Sequence, residues 1–132
     1  MSIEICLETR EDLVTFLKST SYDYVILKFQ ASWCKPCKKL KPFVDKTVNE
    51  TIQRLDSKKR QNAFIFIEVD IDVCTDLYAF LKQKKRINGV PSIFLYDMKA
   101  IKKQDTEHYY IPTTSVSGID YSYIQKIFDY IQ

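Results

Sequence analysis

The sequence has 132 residues and a mass of 15.6 kDa, which is the size of one ordinary domain. Hydrophobic residues make up 45% of it and aromatic residues 14%, which argues against intrinsic disorder. The 20 basic and 17 acidic residues leave a net charge of +3, too small an excess to indicate nucleic-acid binding. The longest apolar run, residues 63–67, is far shorter than the ~20 residues of a membrane span. We therefore expect one folded domain over residues 1–132 that binds neither nucleic acid nor a membrane.

The predicted elements alternate between strands and helices along the chain. Hydrophobic residues at every second position predict the strands, and hydrophobic residues at every third or fourth position predict the helices. Thr9 and Asp120 are predicted helix caps. In chain order they are a strand at 3–7, a helix from 9, a strand at 24–29, a long helix through 40–55, a strand at 63–71, a helix at 75–85, a strand at 92–96, a weak strand near 109–111 or 116, and a helix from 120. Strands that alternate with helices predict a mostly parallel central sheet with helices on both faces, closed by an antiparallel edge.

The four cysteines are too few and too scattered for a disulfide framework. Cys34 and Cys37 are separated by two residues, whereas Cys6 and Cys74 stand alone. The charged N-terminus does not have the apolar region of a secretory signal, so we expect a cytoplasmic protein. In that setting a Cys-x-x-Cys pair indicates redox chemistry or metal binding. A zinc site needs two further ligands, and the sequence has no second Cys-x-x-Cys or Cys-x-x-His, so no metal site is expected.

The position of Cys34 favours redox chemistry. The predicted strand at 24–29 leads directly into the long helix, and Cys34 falls at the start of that helix. Unpaired backbone N–H groups and the positive end of the helix dipole stabilise a thiolate there. Cys37 follows one turn later, within reach for a disulfide, and Pro36 suits the first helical turn.

Several features in a fixed order give the chain a resemblance to the thioredoxin family. The resemblance extends over residues 3–131 and does not depend on the cysteine pair alone. The matching segments are Trp33-Cys34-Lys35-Pro36-Cys37, Pro42 five residues later, Glu68-Val69-Asp70-Ile71-Asp72 followed by Cys74, Gly89-Val90-Pro91-Ser92, and Ser117-Gly118.

The resemblance implies a thioredoxin-like α/β fold and a thiol–disulfide oxidoreductase that reduces protein disulfides. Cys34 is the expected nucleophile, and Cys37, expected to be the more buried of the two, resolves the mixed disulfide. The resulting Cys34–Cys37 disulfide would be the redox-active centre. No cofactor site is expected in the chain itself, and an external donor, commonly an NADPH-dependent thioredoxin reductase, would return the pair to the dithiol.

The same resemblance predicts a substrate groove beside the cysteines. It would be formed by Trp33, Val90, Pro91 and Gly118, with a cis bond before Pro91. The backbone of Val90 would pair with an extended, disulfide-containing protein substrate, so that main-chain hydrogen bonds hold it with little demand on its sequence. The expected oligomeric state is a monomer.

The residues between the two cysteines depart from the family pattern. Thioredoxins usually have Gly-Pro there, and this chain has Lys35-Pro36. With Trp33, these residues are expected to tune the pair. The Lys35 cation should favour the Cys34 thiolate and make the protein less reducing. An oxidant or isomerase is therefore an alternative function, and a binding module without turnover is a second alternative.

A buried acid of the family is replaced by Lys28, six residues before Cys34. Because an unpaired buried cation is costly, we expect Lys28 either to pair with Glu68 on the neighbouring strand or to extend its amine to water. Two stretches are also longer than in a minimal thioredoxin. Residues 55–62 would extend the long helix and its loop, and residues 99–114 are expected to form a solvated hairpin, with a position beside the groove as the alternative.

Overall fold

A computed structural model gives the architecture of the protein and describes residues 5–132. A four-stranded sheet lies at its centre, in the order β2-β1-β3-β4. Its strands are β1 (Tyr24–Gln30), β2 (Phe64–Asp70), β3 (Ser92–Asp97) and β4 (Thr114–Ser117). β1 runs parallel to β2 and antiparallel to β3, and β4 is antiparallel to β3. The sheet is therefore mixed.

Helices cover both faces of this sheet. They are α1 (Arg10–Ser19), α2 (Lys35–Ser57), α3 (Thr75–Gln83), the single turn α4 (Met98–Ile101) and α5 (Tyr121–Asp129), with a 3-10 turn at Thr106–His108. Buried side chains of α1, α3 and α4 form one core, which Cys37 at the start of α2 joins, and the other buried apolar side chains of α2 form the second core with those of α5. Among the helices of the described residues, none has both the length and the apolar character that crossing a bilayer requires.

The apolar sequence of β1 follows from burial on both sides. Val25, Leu27 and Phe29 belong to the core under α1 and α3, whereas Ile26 belongs to the core under α2 and α5. Successive strand side chains point to opposite faces, so a central strand needs apolar residues at every position. Lys28 is the one exception inside the strand, and it is also buried.

The predicted helix caps are present. Thr9 accepts a hydrogen bond from the N–H of Asp12, and the Asp12 carboxylate accepts one from the N–H of Thr9, which completes a capping box at α1. Asp120 caps α5 by accepting from the N–H of Tyr123 at 3.0 Å. These local signals fix where α1 and α5 begin.

Two predictions about the sheet need correction. Residues 5–7 of the strand predicted at 3–7 have no strand pairing, and positions 3 and 4 lie outside the described residues. The sheet is also not mostly parallel over the described residues, since two of its three ladders are antiparallel. Alternation of strands and helices predicts that helices connect the strands, but it does not fix the direction in which β3 enters beside β1.

The predicted hairpin at residues 99–114 is wrong. The segment forms α4, the 3-10 turn and an irregular return, with Ile101 and Tyr109 buried in the core. Tyr96 donates a hydrogen bond to the Tyr110 carbonyl at 2.7 Å. The segment begins at the end of β3 opposite Pro91, about 20 Å away at ~3.3 Å per strand residue. Apolar side chains therefore attach this insertion to the core, far from the predicted groove.

This attachment gives a stability prediction for Tyr96→Phe. The Tyr96 hydroxyl is fully buried, so its removal leaves the Tyr110 carbonyl without that donor. We expect the free energy of unfolding to fall by about 1 kcal/mol in urea denaturation. Tyr110→Phe keeps the same carbonyl and is the matched control, with an expected change within about 0.5 kcal/mol. Equal losses in both variants would contradict the assignment.

Candidate functional site

Cys34 lies at the junction between β1 and α2. It is the N-cap residue of α2, and its sulfur accepts a hydrogen bond from the N–H of Cys37 at 3.2 Å. That N–H is one of the donors left unpaired at a helix N-terminus. Lys35 and Pro36 occupy the first turn, as predicted, and the Lys35 side chain is exposed. The position stabilises negative charge on the Cys34 sulfur.

Cys34 and Cys37 form a disulfide, with their Cα atoms 5.2 Å apart. Both residues are nearly buried, with 3% of Cys34 and 5% of Cys37 exposed, so the structure does not make Cys37 the more buried of the two, as the sequence predicted. The Val90 carbonyl oxygen lies 3.7 Å from the Cys34 sulfur. Cys37 instead borders a pocket of about 210 Å³ that Lys41 and Asp70 also line.

Trp33 projects from the same junction. Its side chain is 63% exposed, yet its indole N–H donates to the Asp72 carboxylate at 2.9 Å. Asp72 is held in turn, because its backbone N–H donates to Asp70. The ring is thereby fixed beside the cysteines while its surface stays open to solvent. The sequence assigned Asp72 to a family motif only, and nothing in its local pattern indicated this hydrogen bond.

The segment around Pro91 forms the other side of the site. The Val90–Pro91 peptide bond is cis, as predicted. The N–H of Gly118 donates to the Pro91 carbonyl at 2.9 Å, and Gly118 has a φ of +78°, where a residue with a Cβ is strained. The structure thus places Val90 beside Cys34 and joins Gly118 to Pro91, while the substrate groove of Trp33, Val90, Pro91 and Gly118 stays a prediction.

Lys28 does not make the predicted ion pair with Glu68. The two residues are direct neighbours in the β1–β2 register, but within residues 5–132 no salt bridge of 4.0 Å or less joins them. Lys28 is 1% exposed, whereas Glu68 is exposed. Within residues 5–132 no fully buried side-chain nitrogen lacks a partner, so the Lys28 amine, which makes no hydrogen bond there, keeps a small contact with water while its stem is packed. Burial lowers the pKa of Lys28, against the opposing attraction of the Glu68 charge.

One cluster of ligand-type side chains occurs in the part of the chain that the structure describes. It consists of Asp105, Glu107 and His108, which are all exposed and lie in the insertion. Neither Cys34 nor Cys37 belongs to it.

Replacement of the buried amine should stabilise the protein. We expect Lys28→Met to raise the free energy of unfolding by on the order of 1 kcal/mol at neutral pH, because it removes a buried cation without leaving a cavity. Lys39→Met, on the exposed side of α2, is the control and should change it by less than about 0.5 kcal/mol.

The gain from Lys28→Met should also depend on pH. Since the folded-state pKa of Lys28 lies below the usual 10.5, the unfolded chain binds more protons between these two values. The stability of the wild type therefore rises with pH in that window, and the advantage of the variant shrinks. Urea denaturation at several pH values measures this. A gain that stays constant up to pH 10.5 would contradict the lowered pKa.

Comparison with known proteins assigns the chain to a family. The family model for thioredoxin matches residues 5–110. Thioredoxin of the rabbit, Oryctolagus cuniculus, is 33% identical over 73 residues, which are 55% of this chain and 60% of the rabbit protein. Thioredoxin of Bos taurus is 38% identical over 63 residues, or 48% of this chain and 50% of the bovine protein. The chain thus spans about half to three fifths of the curated relatives it matches.

Solved structures give the same fold. The X-ray structure of Fasciola hepatica thioredoxin superposes with a TM-score of 0.64 and covers 98% of this chain and 100% of its own. Its sequence is only 16% identical, so this likeness concerns the fold. The family model, by contrast, extends from α1 through the cysteine pair and the cis-proline to the insertion. The chain belongs to the thioredoxin family.

Proposed function

We propose that the protein is a thiol–disulfide oxidoreductase that reduces disulfides in partner proteins. The observation that carries this proposal is the Cys34–Cys37 disulfide at the N-terminus of α2, where the Cys37 N–H donates to the Cys34 sulfur. A site that forms this bond, and also stabilises a thiolate on one of its sulfurs, has both states that a two-electron exchange needs.

The proposed reaction has two exchange steps. In the dithiol form, the Cys34 thiolate attacks one sulfur of a substrate disulfide, and the other substrate sulfur leaves as a thiolate. Cys37 then loses its proton and attacks the Cys34 sulfur, which releases the second substrate thiol and forms the Cys34–Cys37 disulfide. Two electrons have passed from the protein to the substrate. The pocket beside Cys37 is open to water, which can accept its proton.

Recognition of the substrate is proposed to use the backbone around Val90. The Val90 carbonyl lies 3.7 Å from the Cys34 sulfur, and the ring of Trp33, the residue before Cys34, is exposed. An extended chain that pairs with this segment would place its own disulfide over Cys34. Pro91 and Gly118 hold this backbone in position through their 2.9 Å hydrogen bond. The partners would therefore be protein disulfides in extended or loosely folded segments.

The proposal includes an external electron source and a location. An NADPH-dependent reductase, or another dithiol donor, would reduce the Cys34–Cys37 disulfide after each turnover. A reducing compartment such as the cytoplasm fits this cycle, because thiol systems maintain the dithiol there. The working unit is proposed to be a monomer.

Two other activities remain testable alternatives. An oxidant or isomerase is favoured by Lys35, whose exposed cation lies in the first turn of α2 beside Cys34. The reduction potential distinguishes it from a reductant: about −270 mV is typical of thioredoxin and about −180 mV of a disulfide isomerase. A binding module without turnover would keep its partner after both cysteines are replaced.

Cysteine variants test the two exchange steps. We expect Cys34→Ser to lower the rate of protein-disulfide reduction at least about a hundredfold, because it removes the nucleophile. Cys37→Ser should accumulate a mixed disulfide between Cys34 and the substrate, which nonreducing electrophoresis detects. Cys6→Ser, at an exposed cysteine outside the site, is the matched control and should keep the wild-type rate. Full activity of Cys34→Ser would contradict the proposal.

The charge of Lys35 should set part of the reduction potential. We expect Lys35→Gln to make the potential more negative by on the order of 10–20 mV, because the reduced form loses a cation near its thiolate. Lys35→Arg keeps the charge and should retain the wild-type value. Equilibration with a glutathione redox series measures all three proteins. An unchanged potential in Lys35→Gln would show that this charge is screened by water.

A further inference from the structure

The N-terminal segment before α1 is attached to the start of α3. The carbonyl of Glu8 accepts a hydrogen bond from the N–H of Leu77 at 3.2 Å. Arg10 contacts Asp76 through its backbone N–H at 2.9 Å and through its guanidinium at 3.0 Å. These contacts join residues far apart in the sequence and hold the segment against the first turn of α3.

This attachment brings the two remaining cysteines together. Cys6 lies two residues before Glu8, and Cys74 is the residue that precedes α3. Leu7, the neighbour of Cys6, lies in the same core as Cys74, and the Cys6 thiol is close enough to contribute to the raised pKa of the Cys74 thiol. Cys6 is exposed and Cys74 is buried. The arrangement therefore has one thiol that a reagent in solution can reach and a second, buried thiol near it.

We propose that Cys6 and Cys74 are a second redox pair, which forms an intramolecular disulfide when the protein meets a small-molecule disulfide such as oxidised glutathione. The contacts of Glu8 and Arg10 with α3 already hold the two residues together, so little chain ordering is needed to form the bond. The pair shares no residue with the Cys34–Cys37 disulfide and does not depend on the proposed function of that site.

The reaction is a double exchange. The Cys6 thiolate attacks one sulfur of oxidised glutathione, the glutathione S–S bond breaks, and one glutathione thiolate leaves. The Cys74 thiolate then attacks the Cys6 sulfur, and the second glutathione leaves. The protein loses two protons and two electrons, and oxidised glutathione becomes two thiols. Exposure and thiolate formation together fix this order, because Cys6 is exposed, whereas Cys74 is buried and its pKa is raised to about 11.

The surroundings of the pair make its oxidation slow at neutral pH. Burial raises the pKa of Cys74 to about 11, and the neighbouring Cys6 adds to this effect. The pKa of Cys6 is also raised, first by desolvation and then by the Glu8 carboxylate, whose oxygen is 3.5 Å from the sulfur. Few thiolates are therefore present near pH 7. The rate should rise about tenfold per pH unit while the attacking thiol remains mostly protonated.

The new bond would act on the loop between β2 and α3. That loop carries Asp72, which accepts the indole N–H of Trp33 at 2.9 Å, and Cys74 follows two residues later. A Cys6–Cys74 disulfide would tie the N-terminal segment covalently to the loop that positions Trp33. The second pair would thus link the oxidation state of the surroundings to one side of the candidate groove.

The test uses the full chain with Cys34→Ser and Cys37→Ser, so that Cys6 and Cys74 are its only thiols. After incubation with oxidised glutathione, we expect the intact mass to fall by two hydrogen atoms, with no glutathione retained. Proteolysis and mass spectrometry should give one peptide pair linked through Cys6 and Cys74. Mapping of the oxidised wild-type chain, which should contain two disulfides, gives the same information if the double variant does not fold.

Single replacements in this background are the matched controls. Addition of Cys74→Ser should leave one glutathione bound to Cys6, since no second thiol releases it. Addition of Cys6→Ser should leave Cys74 unmodified, because Cys74 is buried and its raised pKa keeps it protonated. A stable glutathione adduct while both thiols are present, a covalent dimer, or no loss of thiols after prolonged oxidation at pH 9 would each overturn the proposal.

Discussion

The junction between β1 and α2 is the constraint on which the site depends. β1 is buried on both faces, so its direction and register are fixed by the two cores and by its neighbours β2 and β3. The chain leaves this strand and begins α2 at Cys34, where backbone N–H groups have no partner inside the helix. A rigid strand thus positions the Cys34 sulfur at a helix N-terminus, which stabilises its negative charge. The Cys37 N–H donates a hydrogen bond to that sulfur.

The remaining walls of the site come from distant parts of the chain, and single hydrogen bonds hold them. Asp72, from the loop after β2, fixes the indole of Trp33. Gly118, after β4, binds the carbonyl of Pro91 before β3. Each of these residues lies near one end of a strand, so the sheet positions them around Cys34 and few further contacts are needed. The insertion begins at the other end of β3, away from Pro91.

The sequence was sufficient for features that local chemistry or an ordered motif determines. The caps at Thr9 and Asp120, the helices on both faces of the sheet and the cis bond at Pro91 belong to this group. Features that depend on the competition between burial and hydration were not predictable. Lys28 and Glu68 are neighbours in register, yet Glu68 stays exposed and the two form no ion pair. The near-equal burial of Cys34 and Cys37 likewise has no local signal, because Val90, whose carbonyl lies 3.7 Å from the Cys34 sulfur, is distant in sequence.

The Trp33 indole held by Asp72 also gives the protein an intrinsic fluorescence signal for the state of its cysteine pair. Trp33 is the only tryptophan in the chain, beside nine tyrosines, so excitation at long wavelength selects one ring next to the Cys34–Cys37 bond. A neighbouring disulfide quenches indole emission, and a dithiol quenches it less. Reduction can therefore be followed by fluorescence in real time, without a dye and without a coupled substrate. The hydrogen bond that orders the ring keeps the distance between fluorophore and quencher nearly constant, which gives the signal a defined amplitude.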